Sequence, residues 1–395
     1  MSKKNRDRVH FVIIFLLVSF NLRMAFSAAD PLLVQIMQSQ HIGIGSSGLF
    51  GLLPIMSLGV AAPLGARLVE WVRPGMLIIY ALLFATGGVL WRSTGGIPGL
   101  FGGTIIIGLG LGIAGAVILG IARQAVPEHL PELMSAYTAC VSLGTAVGAG
   151  AANPVSLLLG GWQRGLMFWA LPLLLATGAW SALMLKRRRE HTRQPAMRAP
   201  MLPLLRQHQP RMVTLYYLFR VASSWLLIVW LSALLRRRGM PPIEAGLVLS
   251  LSTACQIPSA LLAGITSHWL GGMNRLMVMA SILAVIACWG LLELPLQWWL
   301  VFAIMLGLGL GSIFAVGMTL IAATEPDEAG TIALSGLAQG IGFIGGGLLA
   351  WVAGLSLQLP EPDLWVAGLY TLFTLTGLFF GLSCGNKTGQ PPTGN

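Results

Sequence analysis

The sequence predicts an all-α membrane protein in which twelve transmembrane helices form two pseudo-symmetric six-helix bundles. The main observation is an internal repeat: residues 108–122 read GLGLGIAGAVILGIA, and residues 307–322, 199 positions later, read GLGLGSIFAVGMTLIA. Each copy lies in an apolar segment that is long enough to cross a bilayer. Two similar membrane halves in tandem are typical of secondary transporters, in which the substrate site lies where the halves meet.

The composition independently predicts that the bilayer is the solvent for most side chains. Hydrophobic residues make up 55% of the chain, charged residues make up 9%, and the mean hydropathy is +0.79. A water-soluble domain needs more surface charge than this. The 50 glycines suit closely packed membrane helices, and the four cysteines lie in apolar segments without the spacing of a metal site.

Twelve apolar windows of about 18 to 25 residues account for the predicted spans. In order, they are 9–29, 47–68, 75–92, 98–122, 133–157, 163–185, 211–235, 243–266, 273–293, 296–322, 329–355 and 363–384. The domains expected from this pattern are an N-terminal bundle at 1–185, a basic cytoplasmic linker at 186–210, a C-terminal bundle at 211–384 and a polar, disordered tail at 385–395.

Basic residues predict the orientation of the chain. Those outside the spans include Lys3, Lys4, Arg6, Arg8, Lys186, Arg187, Arg188, Arg189, Arg193, Arg198 and Arg206. With an even number of spans, the termini and the linker share one side, and the excess of Lys and Arg makes this side cytoplasmic. We therefore expect a multi-pass protein of the bacterial cytoplasmic (inner) membrane with both termini in the cytoplasm. The net charge of +11 is then a topology signal rather than a sign of nucleic-acid binding.

Two features complicate this topology. Arg236, Arg237 and Arg238 fall on the predicted outer side. The favoured interpretation is that they form a positive rim on that side. The alternative is that the boundary of the seventh span is wrong. The basic start and the apolar run ending in Ala28-Ala29 imitate a signal peptide, but eleven further spans favour an uncleaved first helix.

Two arginines within predicted spans are candidates for substrate binding. Arg23 lies about two thirds of the way across the first window, and Arg220 lies near the middle of the seventh. Adding the repeat offset of 199 to Asn21 gives position 220, so the two arginines occupy nearly equivalent places. An arginine at the bilayer centre costs roughly 3 kcal/mol, so we expect both to face an interior that attracts an anionic substrate. The alternative is a structural role, in which each arginine snorkels or binds backbone carbonyls.

The carboxylates suggest one site for proton coupling. Asp30 and Glu293 lie near span ends on the predicted outer side, and no histidine lies in the middle of a span. Proton-coupled carriers commonly use a buried carboxylate or histidine. Asp30 follows Arg23 by seven residues, or two helical turns, so it could share a face with it. Asp30 is therefore the proton-coupling candidate, and a solvated acid at a helix end is the alternative.

Amide and hydroxyl groups complete the candidate substrate site. Gln339 and Gln256 each lie in an apolar span one turn after a serine, and Tyr137 opens the fifth span. A glutamine both donates and accepts hydrogen bonds, so it suits a small polar solute or a contact between helices. We expect Gln339, Gln256, Tyr137 and Asn21 to contribute to substrate binding.

A loop after the eighth span carries a resemblance to a known family. Residues 264–275 read GITSHWLGGMNR and resemble the Gly-x-x-x-Asp-Arg-x-Gly loop of the major facilitator superfamily. Gly264 and Gly271 match the motif, whereas His268 replaces its acid and Trp269 replaces its base. The resemblance implies the major facilitator fold and a gating role for Gly264, His268, Gly271 and Arg275. The two replacements change the charges on which the family's loop relies.

Within that superfamily, the chain is similar to the cyanate permease group. The matching stretches are NLR at 21–23, LLP at 52–54, GLGLG at 307–311 and QGIGFI at 339–344. The resemblance implies import of a small anion or a small neutral heterocycle, with Arg23, Gln256 and Gln339 at matching polar positions. Gly115 and Leu119 stand where the group carries a polar residue and a proline, which favours a solute larger than cyanate or different from it.

These observations predict a secondary transporter that imports a small anion or a small polar heterocycle by alternating access, with proton coupling as a hypothesis. The sequence lacks the GxxxxGK[ST] loop that binds ATP, so the energy would come from a gradient. We expect a monomer in the lipid bilayer that binds a small-molecule substrate, without a cofactor, a metal ion or nucleic acid.

Three alternative functions are compatible with parts of this pattern. Drug or metabolite efflux uses the same fold and differs in the direction of transport. An intramembrane enzyme would need a serine–histidine pair, an acidic dyad or a histidine metal cluster within the spans, and the sequence places none there. A transporter-like sensor would typically carry a soluble signalling domain.

Overall fold

The computed structural model describes residues 3–40, 47–190 and 200–385, which are helical with short connections and contain no β-strand. Its α-helices are α1 (Lys3–Ser27), α2 (Leu33–Gln40), α3 (Ser47–Leu68), α4 (Pro74–Thr94), α5 (Gly96–Ala125), α6 (Leu130–Leu158), α7 (Trp162–Phe168), α8 (Ala170–Glu190), α9 (His208–Arg237), α10 (Pro242–Trp269), α11 (Met273–Glu293), α12 (Trp299–Thr324), α13 (Glu328–Ala353) and α14 (Pro362–Gly385).

The helices coincide with the windows predicted from hydropathy. Within the described residues, eleven helical stretches are long and apolar enough to cross a membrane. The remaining predicted span, 47–68, is α3, in which Leu52–Leu68 forms a shorter apolar helix. The predicted all-helical membrane fold is therefore confirmed. Part of the predicted linker (191–199) and most of the predicted tail (386–395) lie outside the described residues.

The chain divides into two compact units, each close to one half of the sequence. Unit 1 comprises Met1–Glu128, Cys140–Met201 and Pro326–Gly340, and unit 2 comprises His129–Ala139, Leu202–Glu325 and Ile341–Asn395. The first part of α13 therefore packs in unit 1, and the first part of α6 packs in unit 2. The domain boundaries expected from the sequence stay a prediction.

In unit 1, the glycine repeat of α5 forms close helix contacts. A Cβ atom built on Gly110 would lie 2.5 Å from the carbonyl oxygen of Ala81 in α4, and one on Gly112 would lie 2.5 Å from Cβ of Ala61 in α3. A Cβ atom on Gly108 would overlap Ser57 of α3. Only glycine allows the helices to approach this closely, so the apolar, glycine-rich sequence produces a tight three-helix contact.

In unit 2, the second copy of the repeat forms the equivalent contacts. A Cβ atom on Gly309 would lie 2.8 Å from the carbonyl oxygen of Ala280 in α11, and one on Gly311 would lie 2.5 Å from the carbonyl oxygen of Gln256 in α10. Gly307 similarly packs against Ser252 of α10. The repeat in the sequence is thus a repeat in helix packing.

The arginines at the end of the seventh span are part of its helical structure. Helix α9 continues through Arg237, and Arg238 donates hydrogen bonds to the carbonyl oxygens of Leu291 (2.6 Å) and Leu294 (2.9 Å) at the end of α11. The last carbonyls of a helix have no partner within the helix and favour a nearby cation. Arg238 therefore stabilises a helix end, a role that the sequence pattern does not reveal.

Candidate functional site

The first helix places two of the predicted site residues near its C-terminal end in unit 1. Arg23 is half-buried, and the hydroxyl of Ser27 donates a hydrogen bond to its carbonyl oxygen at 3.1 Å. Asn21 is completely buried, and its Nδ2 donates to the carbonyl oxygen of Leu17 at 2.9 Å. Its Oδ1 has no hydrogen-bond partner among the described residues. Buried amide oxygens normally accept a hydrogen bond. The Oδ1 atom of Asn21, two residues before Arg23, is therefore an unsatisfied polar atom in α1.

Gln339 lies at the centre of a second group of residues in unit 1. Its side chain is buried, and its Nε2 donates to the hydroxyl of Ser335 at 2.7 Å. A Cβ atom built on Gly115 of α5 would lie 4.0 Å from Gln339 Oε1 and 3.9 Å from Cδ1 of Leu22 in α1. Because Gly115 has no side chain, the backbone of α5 faces Gln339 Oε1 at this point. We call Gln339, Ser335, Gly115 and Leu22 the Gln339 cluster.

Small residues explain why Gln339 can approach α5. Gly336 and Gly340 lie on either side of it along α13, and Cβ atoms built on them would lie 2.7 Å from Ala66 Cβ and 2.6 Å from Pro63 Cγ of α3. A Cβ atom on Gly120 of α5 would lie 2.7 Å from the carbonyl oxygen of Glu328. The glycines remove the side chains that would otherwise separate α13 from α3 and α5.

Arg220 lies in an aromatic group in unit 2. Its guanidinium carbon is 3.9 Å from the ring centroid of Phe314 in α12 and 5.5 Å from that of Tyr217. The Tyr217 ring meets Phe343 of α13 edge-on, with centroids 5.9 Å apart and an interplanar angle of 84°. We call Arg220, Phe314, Tyr217 and Phe343 the Arg220 cluster. The aromatic residues were missed because a phenylalanine or tyrosine in an apolar span gives no signal of its own.

Gln256 and Tyr137 also lie in unit 2. The half-buried Gln256 packs its backbone against Gly311, and its side-chain amide makes no hydrogen bond within the described part of the chain. Ser252, one turn earlier, instead donates to backbone carbonyls of Val248 and Ala303. Tyr137 is buried in α6. The six predicted substrate residues are therefore divided between the units, with Arg23, Asn21 and Gln339 in unit 1 and Arg220, Gln256 and Tyr137 in unit 2.

Asp30 has a charged neighbour that the sequence analysis did not identify. Asp30 begins the short 3-10 turn Asp30–Leu32 and is exposed. Its charge acts on Arg92 of α4, which is only 2% exposed and donates from Nη2 to the carbonyl oxygen of Ala25 at 2.8 Å. Among the described residues, Nε and Nη1 of Arg92 have no hydrogen-bond partner. Arg92 was missed because it closes the third window, where a basic residue resembles an ordinary flanking charge.

The predicted gating segment 264–275 is a loop only at residues 270–272, because Gly264 and His268 belong to α10 and Arg275 belongs to α11. The segment contacts α6 within unit 2. The backbone N–H of Gly264 donates to the hydroxyl of Ser135 at 3.0 Å, and His268 Nε2 lies 3.8 Å from an Oε1 atom of Glu132. Gly271 has a φ of +76°, which favours glycine. Arg275 donates to the carbonyl oxygen of Leu270 at the end of α10. The sequence motif identified this segment, but it did not identify Ser135 and Glu132 of α6 as its contacts.

Comparisons with known proteins agree with this arrangement. A family profile described as Major Facilitator Superfamily matches residues 15–350. The 2-nitroimidazole transporter of Escherichia coli (strain K12) is 26% identical over 388 residues, covering 96% of this chain and 97% of that protein. The cyanate transport protein CynX of the same organism is 27% identical over 352 residues, covering 87% of this chain and 89% of that protein.

Solved structures show the same fold at low sequence identity. The human organic anion transporter MFSD10 (TETRAN) has a TM-score of 0.72 and 16% identity, covering 96% of this chain and 100% of that chain. The predicted resemblance to the cyanate permease group is confirmed, as is the assignment to membrane transporters rather than enzymes. The chain is therefore a multi-pass transporter of small molecules that belongs to the major facilitator superfamily.

Proposed function

We propose that this transporter imports a small anion or a small polar heterocycle across the bacterial cytoplasmic membrane by alternating access. The observation that carries the proposal is the Gln339 cluster. A buried amide is costly unless its polar atoms are paired, and Gln339 presents its Oε1 atom to Gly115, a position without a side chain. The two relatives named above, transporters of 2-nitroimidazole and of cyanate, support a small polar solute.

The remaining candidate residues have distinct roles in this proposal. Arg23 attracts the negative or electron-rich end of the solute, and Asn21 and Gln339 hydrogen-bond it. Arg220 supplies a second positive charge, and Gln256 and Tyr137 supply polar groups.

Two further groups act outside direct solute binding in this proposal. Asp30 takes up and releases the coupled proton, and the charge of the buried Arg92 acts on it. The segment containing Gly264, His268, Gly271 and Arg275 gates the cytoplasmic side, where its contacts with Ser135 and Glu132 of α6 break and re-form.

The test is uptake of radiolabelled 2-nitroimidazole and cyanate by the purified full-length protein in proteoliposomes. We expect Gln339→Leu to lower transport of the preferred solute by about tenfold or more, because a site that hydrogen-bonds its ligand discriminates strongly when that bond is lost. Gln163→Leu, at an exposed glutamine of α7, is the matched control and should transport normally. Normal transport by a folded Gln339→Leu protein would contradict the proposed site.

Efflux of a metabolite by the same residues is the second candidate function. Gly115 and Leu119 favour it, because the cyanate permease group carries a polar residue and a proline at these positions and a solute other than cyanate is therefore expected. Right-side-out and inside-out vesicles under the same proton gradient separate the two functions. Accumulation driven only in right-side-out vesicles supports import, and accumulation only in inside-out vesicles supports efflux.

A further inference from the structure

The guanidinium group of Arg220 is stacked on an aromatic ring. Its central carbon lies 3.9 Å from the ring centroid of Phe314, a distance at which the flat cation lies directly over the ring. Tyr217, one turn earlier on α9, approaches the same carbon at 5.5 Å. Phe314 itself is half-buried, so part of its ring is not covered by protein.

Other groups in unit 2 hold this arrangement in place. The Tyr217 ring is packed edge-on against Phe343, and Gly342 lies so close to the same ring that no side chain would fit there. Edge-on aromatic pairs contribute about 0.5–1.5 kcal/mol beyond their burial. Rings from α9 and α12 therefore contact the Arg220 guanidinium group directly, and α13 packs against one of these rings.

The stacking determines how an acceptor can reach Arg220. A guanidinium group carries its N–H donors in one plane, and Phe314 covers a face of that plane. Acceptor atoms therefore meet the group at its edge. Two adjacent N–H groups at such an edge match two coplanar oxygen atoms, as in a carboxylate, whereas a rod-shaped group with one terminal acceptor uses only one of them.

We propose that Phe314 is a positioning residue that, through Arg220, makes the transporter prefer solutes with a planar two-oxygen group over rod-shaped solutes. Carboxylate and nitro groups share this chemistry, and cyanate and nitrile groups do not. The proposal rests on the proposed function, because it requires that Arg220 contacts the solute.

The test compares two matched pairs of solutes on the purified full-length protein in proteoliposomes. The pairs are 2-nitroimidazole with 2-cyanoimidazole, and formate with cyanate. The two members of each pair have similar size and equal charge. The first member of each pair has a planar two-oxygen group, and the second has a rod-shaped polar group. We expect the wild type to favour the planar member by about tenfold in KM in at least one pair.

The variants separate positioning from general stability. Phe314→Leu and Arg220→Lys should bring the KM ratio of that pair close to one, whereas Phe314→Tyr should retain the preference because it keeps a ring under the cation. Phe380→Leu is the control, because Phe380 stacks on Phe219, with centroids 5.9 Å apart, and belongs to neither cluster. A ratio of KM values does not depend on the fraction of protein that is folded, so a destabilised variant remains informative.

The outcomes distinguish this inference from the function on which it rests. Equal KM values for both members in the wild type would overturn the inference and leave the proposed function intact. An unchanged preference in Phe314→Leu would do the same. Failure to transport any of the four solutes in either direction would overturn the proposed function, and the inference with it.

Discussion

Arg92, Arg220 and Arg238 illustrate three environments of arginine in this protein. Arg92 binds a backbone carbonyl at the end of α1, Arg238 binds two carbonyls at the end of α11, and Arg220 is stacked on Phe314. Carbonyls at a helix C-terminus lack partners within the helix and are favoured by a positive charge. Arg92 and Arg238 therefore stabilise helix ends, which leaves Arg220 as the member of this group with a candidate role in solute selection.

At the residue scale, we predict that Arg92→Ala lowers the free energy of unfolding by about 2–4 kcal/mol. The substitution removes the hydrogen bond to Ala25 and leaves a cavity where a large side chain is only 2% exposed. Chemical denaturation in detergent measures the change. Arg211→Ala, at an exposed arginine of α9, is the control and should change stability by less than about 0.5 kcal/mol. Equal stability of the two variants would contradict the prediction.

At the element scale, the glycine repeat is a repeated packing contact. Gly110 of α5 approaches Ala81 and Ala85 of α4, and adding 199 to these three numbers gives Gly309, Ala280 and Ala284, which make the same contact between α12 and α11. The repeat therefore places small residues on the same surface of each helix. In a membrane, close van der Waals packing replaces the hydrophobic effect as the force that associates helices.

We predict that Gly110→Ala and Gly309→Ala each destabilise the protein by about 1–3 kcal/mol, because the added methyl group must push against backbone of the neighbouring helix. Gly87→Ala and Gly246→Ala are matched controls in α4 and α10, since a Cβ atom at either position would meet no atom within 4 Å. The controls should be neutral or stabilising by up to about 1 kcal/mol. Thermal unfolding of the four variants provides the comparison, and similar losses in all four would refute a packing role.

A second element-scale repeat lies in two turns. Residues 159–164 read LGGWQR and residues 270–275 read LGGMNR. Gly160 and Gly271 have φ values of +77° and +76°, and the arginine that ends each turn donates to the leucine carbonyl that begins it. Arg275 therefore stabilises the end of α10 through this hydrogen bond, in addition to its proposed part in gating.

At the scale of the whole molecule, charge and topology agree within unit 1. Arg8 at the start of α1 pairs with Glu128 after α5 at 3.2 Å, and Asp7 pairs with Lys186 near the end of α8 at 2.7 Å. The N-terminus, the end of α5 and the end of α8 therefore meet at one end of the unit. Arg8 and Lys186 at this end are among the basic residues from which a cytoplasmic orientation was predicted.

We predict that both ends of the chain are cytoplasmic. Green fluorescent protein fused to the C-terminus should fluoresce, because it matures in the cytoplasm, and alkaline phosphatase fused at the same position should be inactive. Phosphatase fused in the loop between α11 and α12 should be active and serves as the outer-side control. An active phosphatase at the C-terminus would reverse the proposed orientation.

The sequence alone determined the fold, the number and limits of nearly all spans and the family. It could do so because a bilayer accepts only helices or closed barrels, so long apolar windows separated by polar turns leave little choice. The repeat also indicated one set of close helix contacts in each unit. Gly110 and Gly309 indicate a close contact whichever helix lies next to them.

Only the tertiary structure decided what each polar residue contacts. In a uniformly apolar helix no periodicity distinguishes one face from another, so the sequence could not separate Arg92, at a helix end, from Arg220, on an aromatic ring. It also could not place Gln339 opposite Gly115, because that proximity depends on α13 packing against α3 and α5, far away in the chain. The candidate site is the product of long-range packing, and single-sequence patterns describe only local structure.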